Sequence, residues 1–318
     1  MNTLPRPVFV DCDTGVDDAL ALAYLLSDPG VRIVGVGTVS GNVSAAQAAE
    51  NTLALLTAAG ADGVPVAVGA HDARAGAFAG GAPHVHGADG VGGTAGEPGE
   101  RRPDPRDAVT LLADLATQHP GLEVLALGPL TNLAAFADAH PDLVATLGPV
   151  TVMGGAFEHR GNITPFAEAN IGHDVEAAAV VLDAAWELVI VPLDATMPQR
   201  LSEADADRIA AVGGAVPRTL RAMLDFYLDF YLGVYGDRAC ALHDPLAAMV
   251  LADPAVETAV RRGRVRVIAA GEERGRTVLE PAADAAAAAS ARHVVVDAVA
   301  GPAADALIAG LARRSWPA

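Results

Sequence analysis

Short apolar runs alternate along the chain with longer segments rich in alanine and leucine, and this alternation strongly constrains the fold. Within the runs the apolar residues are continuous, which is typical of strands covered on both faces of a mainly parallel sheet. The segments between them have the periodicity of amphipathic helices. The sequence therefore predicts an α/β fold with an open, mainly parallel central sheet and helices on both faces. The runs read PVFV, RIVGVGTV, VPVAVG, LEVLALG, PVTVMGG, ELVIVPL, RVRVIAA and HVVVDAV.

The sequence shows neither an internal repeat nor a clear linker, so we predict a single domain over residues 1–318. A formal net charge of −18 disfavours nucleic acid and membrane surfaces as partners, because their phosphate groups carry the same sign. Two cysteines, Cys12 and Cys240, are too few for a disulfide framework. Since we find neither a signal segment nor an apolar run of about 18 residues, we expect a cytoplasmic protein.

Four aspartates lie within eight residues directly after the first apolar run, in the stretch DCDTGVDD. Two acids at the start of a helix are explained by the helix dipole, but four are not. Two carboxylates about 4 Å apart repel each other by roughly 1 kcal/mol in water and roughly 4 kcal/mol at an effective dielectric constant of 20. A cluster that stays ionised needs a cation, and an all-oxygen set favours Ca²⁺ or Mg²⁺ over zinc. The four are Asp11, Asp13, Asp17 and Asp18.

Haloacid dehalogenase-like phosphatases are an alternative class, because they also begin with an apolar strand that is followed by a DxDxT motif. In this chain Gly15 occupies the fifth position of that motif, and Thr14 comes one place too early. The sequence also contains no lysine that could hold a phosphate group. These departures disfavour the phosphatase reading, which nevertheless stays open at this point.

The pattern DxDxxxDD resembles the opening signature of the calcium-dependent nucleoside hydrolases of the inosine-uridine preferring type, also called nucleoside N-ribohydrolases. Further motifs follow in the order of that family, and the resemblance extends from about residue 8 to about residue 300. It implies a Rossmann-like α/β fold, a Ca²⁺ cofactor, a small ribonucleoside substrate and a homodimer or homotetramer. The further motifs are VSGNVS, HGADGVGG, LALGPLTNLA, VMGGAF, GNITPFAEANIGHDVEAA and LHDPLA.

The resemblance assigns roles to particular positions. It implies that Asp13, Asp18 and Asp244 hold the calcium ion with their carboxylates and that Leu127 holds it with its main-chain carbonyl. It also makes Asp13 the general base that activates a calcium-bound water molecule and His243 a general acid for the leaving base. The resemblance gives no role to Asp11. The positions matched to substrate are Asp17, Asn42, Asn162, Glu168 and Asn170 for ribose, Met153 against the sugar, and His86 and His243 near the nucleobase.

These residue types suit the reaction that the resemblance implies. Breaking an N-glycosidic bond develops positive charge on the ribose, and carboxylates and amide oxygens stabilise that charge. Five aromatic residues recur at helical spacing in the segment LDFYLDFYLGVYGDRA, so we predict core packing with one edge towards the nucleobase. Thr14 stands where many members of the family carry proline. The sequence does not identify the preferred nucleobase, and a non-catalytic nucleoside-binding protein stays open as an alternative.

Overall fold

The computed structural model describes residues 4–95 and 99–318. Most of its strands coincide with the apolar runs, and the helices lie between them. The strands are β1 (Arg6–Cys12), β2 (Val31–Thr38), β3 (Val66–Val68), β4 (Glu123–Ala126), β5 (Val150–Met153), β6 (Leu188–Val191), β7 (Arg200–Ser202), β8 (Ala239–Ala241), β9 (Glu257–Val267), β10 (Thr277–Pro281) and β11 (His293–Val299). The helices are α1 (Val16–Ser27), α2 (Ala45–Ala58), α3 (Pro83–His86), α4 (Ala108–Gln118), α5 (Thr131–Ala139), α6 (Pro141–Val144), α7 (Ala169–His173), α8 (Val175–Asp183), α9 (Leu193–Thr196), α10 (Glu203–Ala211), α11 (Ala215–Tyr235), α12 (His243–Ala252), α13 (Ala285–Ala289) and α14 (Ala303–Leu311), with a 3₁₀ turn at Pro254–Val256.

Within the described residues, nine strands form one sheet in the order β10-β9-β11-β6-β5-β4-β1-β2-β3. The seven strands from β11 to β3 run parallel to one another, and β9 joins the edge in the antiparallel direction. Strands β7 and β8 form a separate antiparallel pair. The predicted open, mainly parallel sheet is therefore confirmed.

Two hydrophobic cores cover the two faces of the sheet. Along β1, Val8, Val10 and Cys12 point into one core, while Phe9 points into the other. The first core is completed by residues of α1, α2, α11, α12 and α14, and the second by residues of α4, α5 and α8. Because successive side chains of a strand point to opposite faces, a strand covered on both sides must be apolar throughout. The prediction of helices on both faces is confirmed.

The chain order places a topological switch point between β1 and β4. From β1 the chain moves outwards through β2 and β3, returns to pair β4 with β1, and continues in the opposite direction through β5 and β6. In open α/β sheets, ligands bind outside the carboxyl ends of the strands at such a point. Asp13 lies just beyond the end of β1, and Leu127 directly follows β4. The fold thus brings two distant motifs to one place.

Helix α1 begins directly beside this switch point. The N–H of Gly15 donates a hydrogen bond of 2.8 Å to Oδ2 of Asp18, which closes the first turn as in a capping box. Asp17 and Asp18 both lie in the first turn, where the helix dipole favours negative charge. In the part of the chain that the structure describes, no helix is long and apolar enough to cross a membrane.

Candidate active site

Asp13 and Asp18 meet at the carboxyl end of β1 and are almost completely buried. The N–H of Asp13 donates to Oδ1 of Asp18 over 3.3 Å, and the N–H of Asn42 donates to Oδ2 of Asp13 over 2.7 Å. The side-chain amide of Asn42 also donates to Asp18, over 3.4 Å. The structure therefore brings together three residues that the sequence placed in the site, and it holds two carboxylates beside each other.

A group of three buried carboxylates can hold a metal ion. Asp17, Asp18 and Asp244 each offer an oxygen atom, and these atoms lie within 4.8 Å of one another. Asp244 reaches the group from the first turn of α12, which packs against α1. The predicted set contains Asp13 in addition to Asp18 and Asp244, and assigns Asp17 to the sugar. In the structure, Asp17 is one of the three acids whose oxygen atoms are close enough together to hold one ion. Asp13 lies beside them, and its N–H is hydrogen-bonded to Asp18.

Burial and mutual repulsion both disfavour the charged forms of these acids. Burial raises the pKa of Asp18 to about 7, and the charge of Asp17 adds to the effect. Burial also raises the pKa of Asp13 well above its ordinary value, as does the neighbouring Asp18 charge. The pKa of Asp244 is raised well above its ordinary value by burial and by the charges of Asp17 and Asp18. A bound cation would reverse this repulsion and stabilise the ionised forms.

Two carboxylate oxygens at the centre of the site lack hydrogen-bond partners in the described part of the chain. Among the described residues, nothing donates to Oδ1 of Asp13 or to Oδ1 of Asp17, although both atoms are buried. Buried carboxylate oxygens are normally paired, because loss of their hydration is costly. A donor set made only of oxygen atoms suits a hard divalent cation such as Ca²⁺. The residues at this site therefore fit the ion that the sequence motifs imply.

The carbonyl of Leu127 lies at the same edge of the sheet and is bound by Asn170. The side-chain Nδ2 of Asn170 donates to the carbonyl of Leu127 over 2.7 Å and to the carbonyl of Met153 over 3.0 Å. Asn170 therefore links the ends of β4 and β5. Glu168 is the N-cap of α7, and its carboxylate accepts from the N–H groups of Gly155, Asn170 and Ile171. Three predicted sugar-binding residues thus lie in one hydrogen-bonded group.

The histidines His86 and His243 are both buried beside the acids. Nδ1 of His86 accepts a hydrogen bond of 3.2 Å from the N–H of Val16 and lies 3.9 Å from Oδ1 of Asp17. Because Nδ1 is an acceptor, the neutral ring carries its proton on Nε2. Burial lowers the pKa of His86, and it lowers the pKa of His243 to about 4. Both rings are therefore neutral at pH 7.

His243 is held between two hydroxyl groups. Its Nδ1 lies 2.8 Å from Oγ1 of Thr196, and its Nε2 lies 2.8 Å from the hydroxyl of Tyr231. One turn earlier on α11, the hydroxyl of Tyr227 donates to Oδ2 of Asp17 over 3.0 Å. Thr196 and the two tyrosines were not among the predicted site residues. The four-residue spacing of the tyrosines is the signal that indicates a shared face of the helix.

Asn162 is the exposed member of the predicted site residues. It lies in the loop between β5 and α7, and its side chain is exposed. The same loop carries the exposed Ile163, whose side chain lies against Gly172 of α7. Asn42, by comparison, is half-buried and contacts two of the acids. The ribose role of Asn162 therefore stays a prediction.

The fold and the site together define an α/β protein with a buried, metal-competent carboxylate group at the switch point of its sheet. The family model "Inosine-uridine preferring nucleoside hydrolase" matches residues 8–303. The "Probable uridine nucleosidase 2" of Arabidopsis thaliana is 34% identical over 282 residues, which are 86% of this chain and 85% of that protein. This chain thus belongs to the inosine-uridine preferring nucleoside hydrolase family and is a nucleoside N-ribohydrolase, an enzyme that cleaves N-glycosidic bonds.

Two solved structures are similar to this one over nearly their whole length. A plant nucleoside hydrolase superposes with a TM-score of 0.91 at 30% identity, covering 98% of this chain and 100% of that chain. A purine-preferring ribonucleoside hydrolase from Gardnerella vaginalis superposes with a TM-score of 0.89 at 28% identity, covering 97% of this chain and 99% of that chain. The expected nucleoside hydrolase fold is therefore confirmed.

Proposed function

We propose that this enzyme hydrolyses ribonucleosides to free nucleobase and ribose with the help of Ca²⁺. The observation that carries the proposal is the buried carboxylate group of Asp17, Asp18 and Asp244 beside the unpaired Oδ1 of Asp13. Asp13, Asp18 and Asp244, with the Leu127 carbonyl, would hold the ion. When bound, Ca²⁺ supplies a positive charge that orients the sugar hydroxyls and acidifies a water molecule.

Asp13 is the general base in this proposal. Its Oδ2 is fixed by the N–H of Asn42, whereas its Oδ1 has no hydrogen-bond partner among the described residues. A free oxygen on a fixed carboxylate can take the proton of the attacking water without prior rearrangement. Positive charge close by keeps the carboxylate ionised despite its burial. Geometry and electrostatics therefore agree on this assignment.

The ribose would lie between the acids and the Asn170 group. Asp17 carries an unpaired Oδ1, so it can accept a hydrogen bond from a sugar hydroxyl. Asn42 is hydrogen-bonded to Asp18, and Asn170 to Glu168 and Met153, so these residues would surround the sugar, which Asn162 would reach from its loop. Negative charge next to the ribose stabilises the oxocarbenium-like transition state more than the ground state.

The leaving nucleobase would receive its proton from the side of His243. The hydroxyl of Thr196 can donate to Nδ1, which leaves the proton of the neutral ring on Nε2, opposite Tyr231. When His243 takes up a second proton, Tyr231 can donate its own proton to the nucleobase while it accepts the Nε2 proton of His243, which returns the ring to its neutral form. His86 would also lie near the nucleobase, since the centroid of its ring is 5.1 Å from that of Tyr227, one turn before Tyr231 on α11. A protonated base leaves more readily than an anionic one.

The experiment measures reducing-sugar release from inosine, adenosine, uridine and cytidine, with and without a strong calcium chelator. Both purines and pyrimidines are needed, because the similar proteins carry names that refer to uridine and to purines. We expect release from at least one nucleoside, loss with chelator and recovery when Ca²⁺ is added back. Nucleoside binding in calorimetry without release by calcium-loaded protein would identify a binding protein and refute the proposal.

A further inference from the structure

Asn132 is a buried residue that joins three neighbouring strands. It is the second residue of α5, and 3% of its surface is exposed. Its Nδ2 donates to Oδ1 of Asp11 over 2.8 Å and to the carbonyl of Thr38 over 3.0 Å, and its Oδ1 accepts from the N–H of Ala70 over 2.9 Å. Asp11 lies near the end of β1, Thr38 ends β2, and Ala70 follows β3. One amide therefore fixes three strand ends together.

The space around this amide is tightly filled. A Cβ atom at Gly69 would lie 2.3 Å from Oδ1 of Asn132, and one at Gly37 would lie 2.9 Å from Oδ1 of Asp11. Such distances are well below ordinary contact, so side chains at these two positions would displace the pair. The surroundings thus enforce a single arrangement of Asn132 and Asp11.

The strand ends that Asn132 joins lead directly to the proposed calcium site. On one side, the carbonyl of Asp11 accepts from the N–H of Leu127 over 2.8 Å, and the Leu127 carbonyl is a proposed ligand. On the other side, the carbonyl of Ala70 accepts from the N–H of Ser40 over 3.0 Å, two residues before Asn42. The N–H of Asn42 in turn fixes Asp13. Both hydrogen-bond paths, the one to Leu127 and the one to Asp13, therefore start at the side-chain amide of Asn132.

We propose that Asn132 and Asp11 are positioning residues that set the Leu127 carbonyl and the Asp13 carboxylate at the spacing Ca²⁺ requires. The inference rests on the proposed function and gives a role to the aspartate of the opening cluster that had none. The amide of Asn132 has one orientation, because Oδ1 faces the N–H of Ala70 and Nδ2 faces the Thr38 carbonyl. The second hydrogen on Nδ2 therefore needs an acceptor at position 11. Aspartate and asparagine both supply one, and alanine does not.

The test measures the Ca²⁺ dissociation constant by isothermal titration calorimetry and the melting temperature of the calcium-free protein. Residues that orient metal ligands typically change metal affinity by about 10- to 100-fold when they are removed. Asn132→Ala and Asp11→Ala should therefore weaken Ca²⁺ binding about tenfold or more. Asp11→Asn keeps the acceptor without the charge, so its affinity should stay within about threefold of the unmodified protein.

His293→Ala is the matched control for a general loss of stability. His293 is as buried as Asn132, and its Nδ1 accepts from the N–H of Val265. It is the first residue of β11, however, and so lies at the amino ends of the parallel strands, away from the carboxyl ends where the site lies. This variant should melt earlier and bind Ca²⁺ with unchanged affinity. Unchanged affinity in Asp11→Ala would overturn the proposal, as would equal weakening in Asp11→Asn and Asp11→Ala, which would indicate a role of charge alone. The two Asp11 variants decide the question even if Asn132→Ala does not fold.

The calorimetric readout separates this inference from the proposed hydrolysis. If the unmodified protein binds Ca²⁺ and releases no ribose, the proposed function fails, while the affinities of the variants still support or overturn the positioning role. If the unmodified protein binds no Ca²⁺, both proposals fail. With activity present, kcat should fall in Asp11→Ala at saturating Ca²⁺ with KM less affected, because Asp13 and the attacking water would be misaligned.

Discussion

Calcium binding should weaken as the pH falls through about 7, because the ligand carboxylates must lose their protons before the ion binds. Burial raises the pKa of Asp18 to about 7, helped by the charge of Asp17. Burial also raises the pKa of Asp13 and that of Asp244 well above their ordinary values. Since every one of these shifts is upward, the calcium-free site is protonated at acid pH, and each proton competes with the ion.

The size of this effect follows from the pKa of Asp18. For a group with a pKa of about 7, the ionised fraction falls from about nine-tenths at pH 8 to about one-tenth at pH 6. The Ca²⁺ dissociation constant should therefore rise roughly tenfold over this range from Asp18 alone, which equals about 1.4 kcal/mol. Asp13 and Asp244 titrate in the same direction, so the total change should exceed tenfold.

Calorimetry at pH 6, 7 and 8, in buffers with different heats of ionisation, measures both the dissociation constant and the protons released per ion. We expect more than one proton released at pH 7. Asp18→Asn should bind more weakly at pH 8 and show a smaller pH dependence, whereas Asp142→Asn, a change to an exposed acid, should behave like the unmodified protein. A dissociation constant that is the same at pH 6 and pH 8, without proton release, would refute the reasoning.

Three further predictions concern the residues around the ion. Asp13→Asn should keep its melting temperature and lose about 10²- to 10⁴-fold in turnover, as removal of a general base does; near-normal turnover excludes Asp13 as the base. Tyr231→Phe removes the hydroxyl bonded to His243, so kcat should fall about three- to tenfold, whereas Tyr235→Phe, whose hydroxyl contacts Met197, should leave kcat unchanged; equal losses in both argue against a proton path through Tyr231. Burial lowers the pKa of His243 to about 4, so the unfolded chain gains its proton first, and the contribution of His243 to the free energy of unfolding should fall by about 3 kcal/mol between pH 7 and pH 4. Urea titrations of the unmodified protein and of His243→Asn should differ by about this amount in their change with pH, and an equal change in both contradicts the assignment.

The sequence predicted the central strands well because those strands are buried on both faces. Continuous apolar runs such as the one that forms β1 have few alternative structures in an α/β chain. The strands β7 and β8 were not predicted, since each has only three residues and, unlike the equally short β3, does not lie in a longer valine-rich run. Strand β10 reads TVLEP and is the edge strand of the sheet. Because an edge strand is partly exposed, its sequence includes polar residues and does not form a continuous apolar run.

The site was predictable where its residues directly follow strands or begin helices within a motif. Asp13 belongs to this kind, because it directly follows β1, whereas Leu127 was expected only from the resemblance to the family. Tyr227 and Tyr231 were not recognised, because hydrophobic periodicity reports that a ring is buried and does not report where its hydroxyl points. The burial of His86 was equally hidden, since it depends on α11, which packs over the glycine-rich loop from far along the chain.

The packing of α1 against α12 has a consequence for the order of folding. Asp18 and Asp244 are far apart in the sequence and belong to α1 and α12, so their carboxylates meet only once these two helices have packed together. An ion that binds only this finished arrangement stabilises the native state and contributes little to earlier, partly folded ones. Calcium should therefore slow unfolding far more than it speeds folding. In a kinetic experiment, added Ca²⁺ should lower the unfolding rate constant and leave the folding rate constant nearly unchanged.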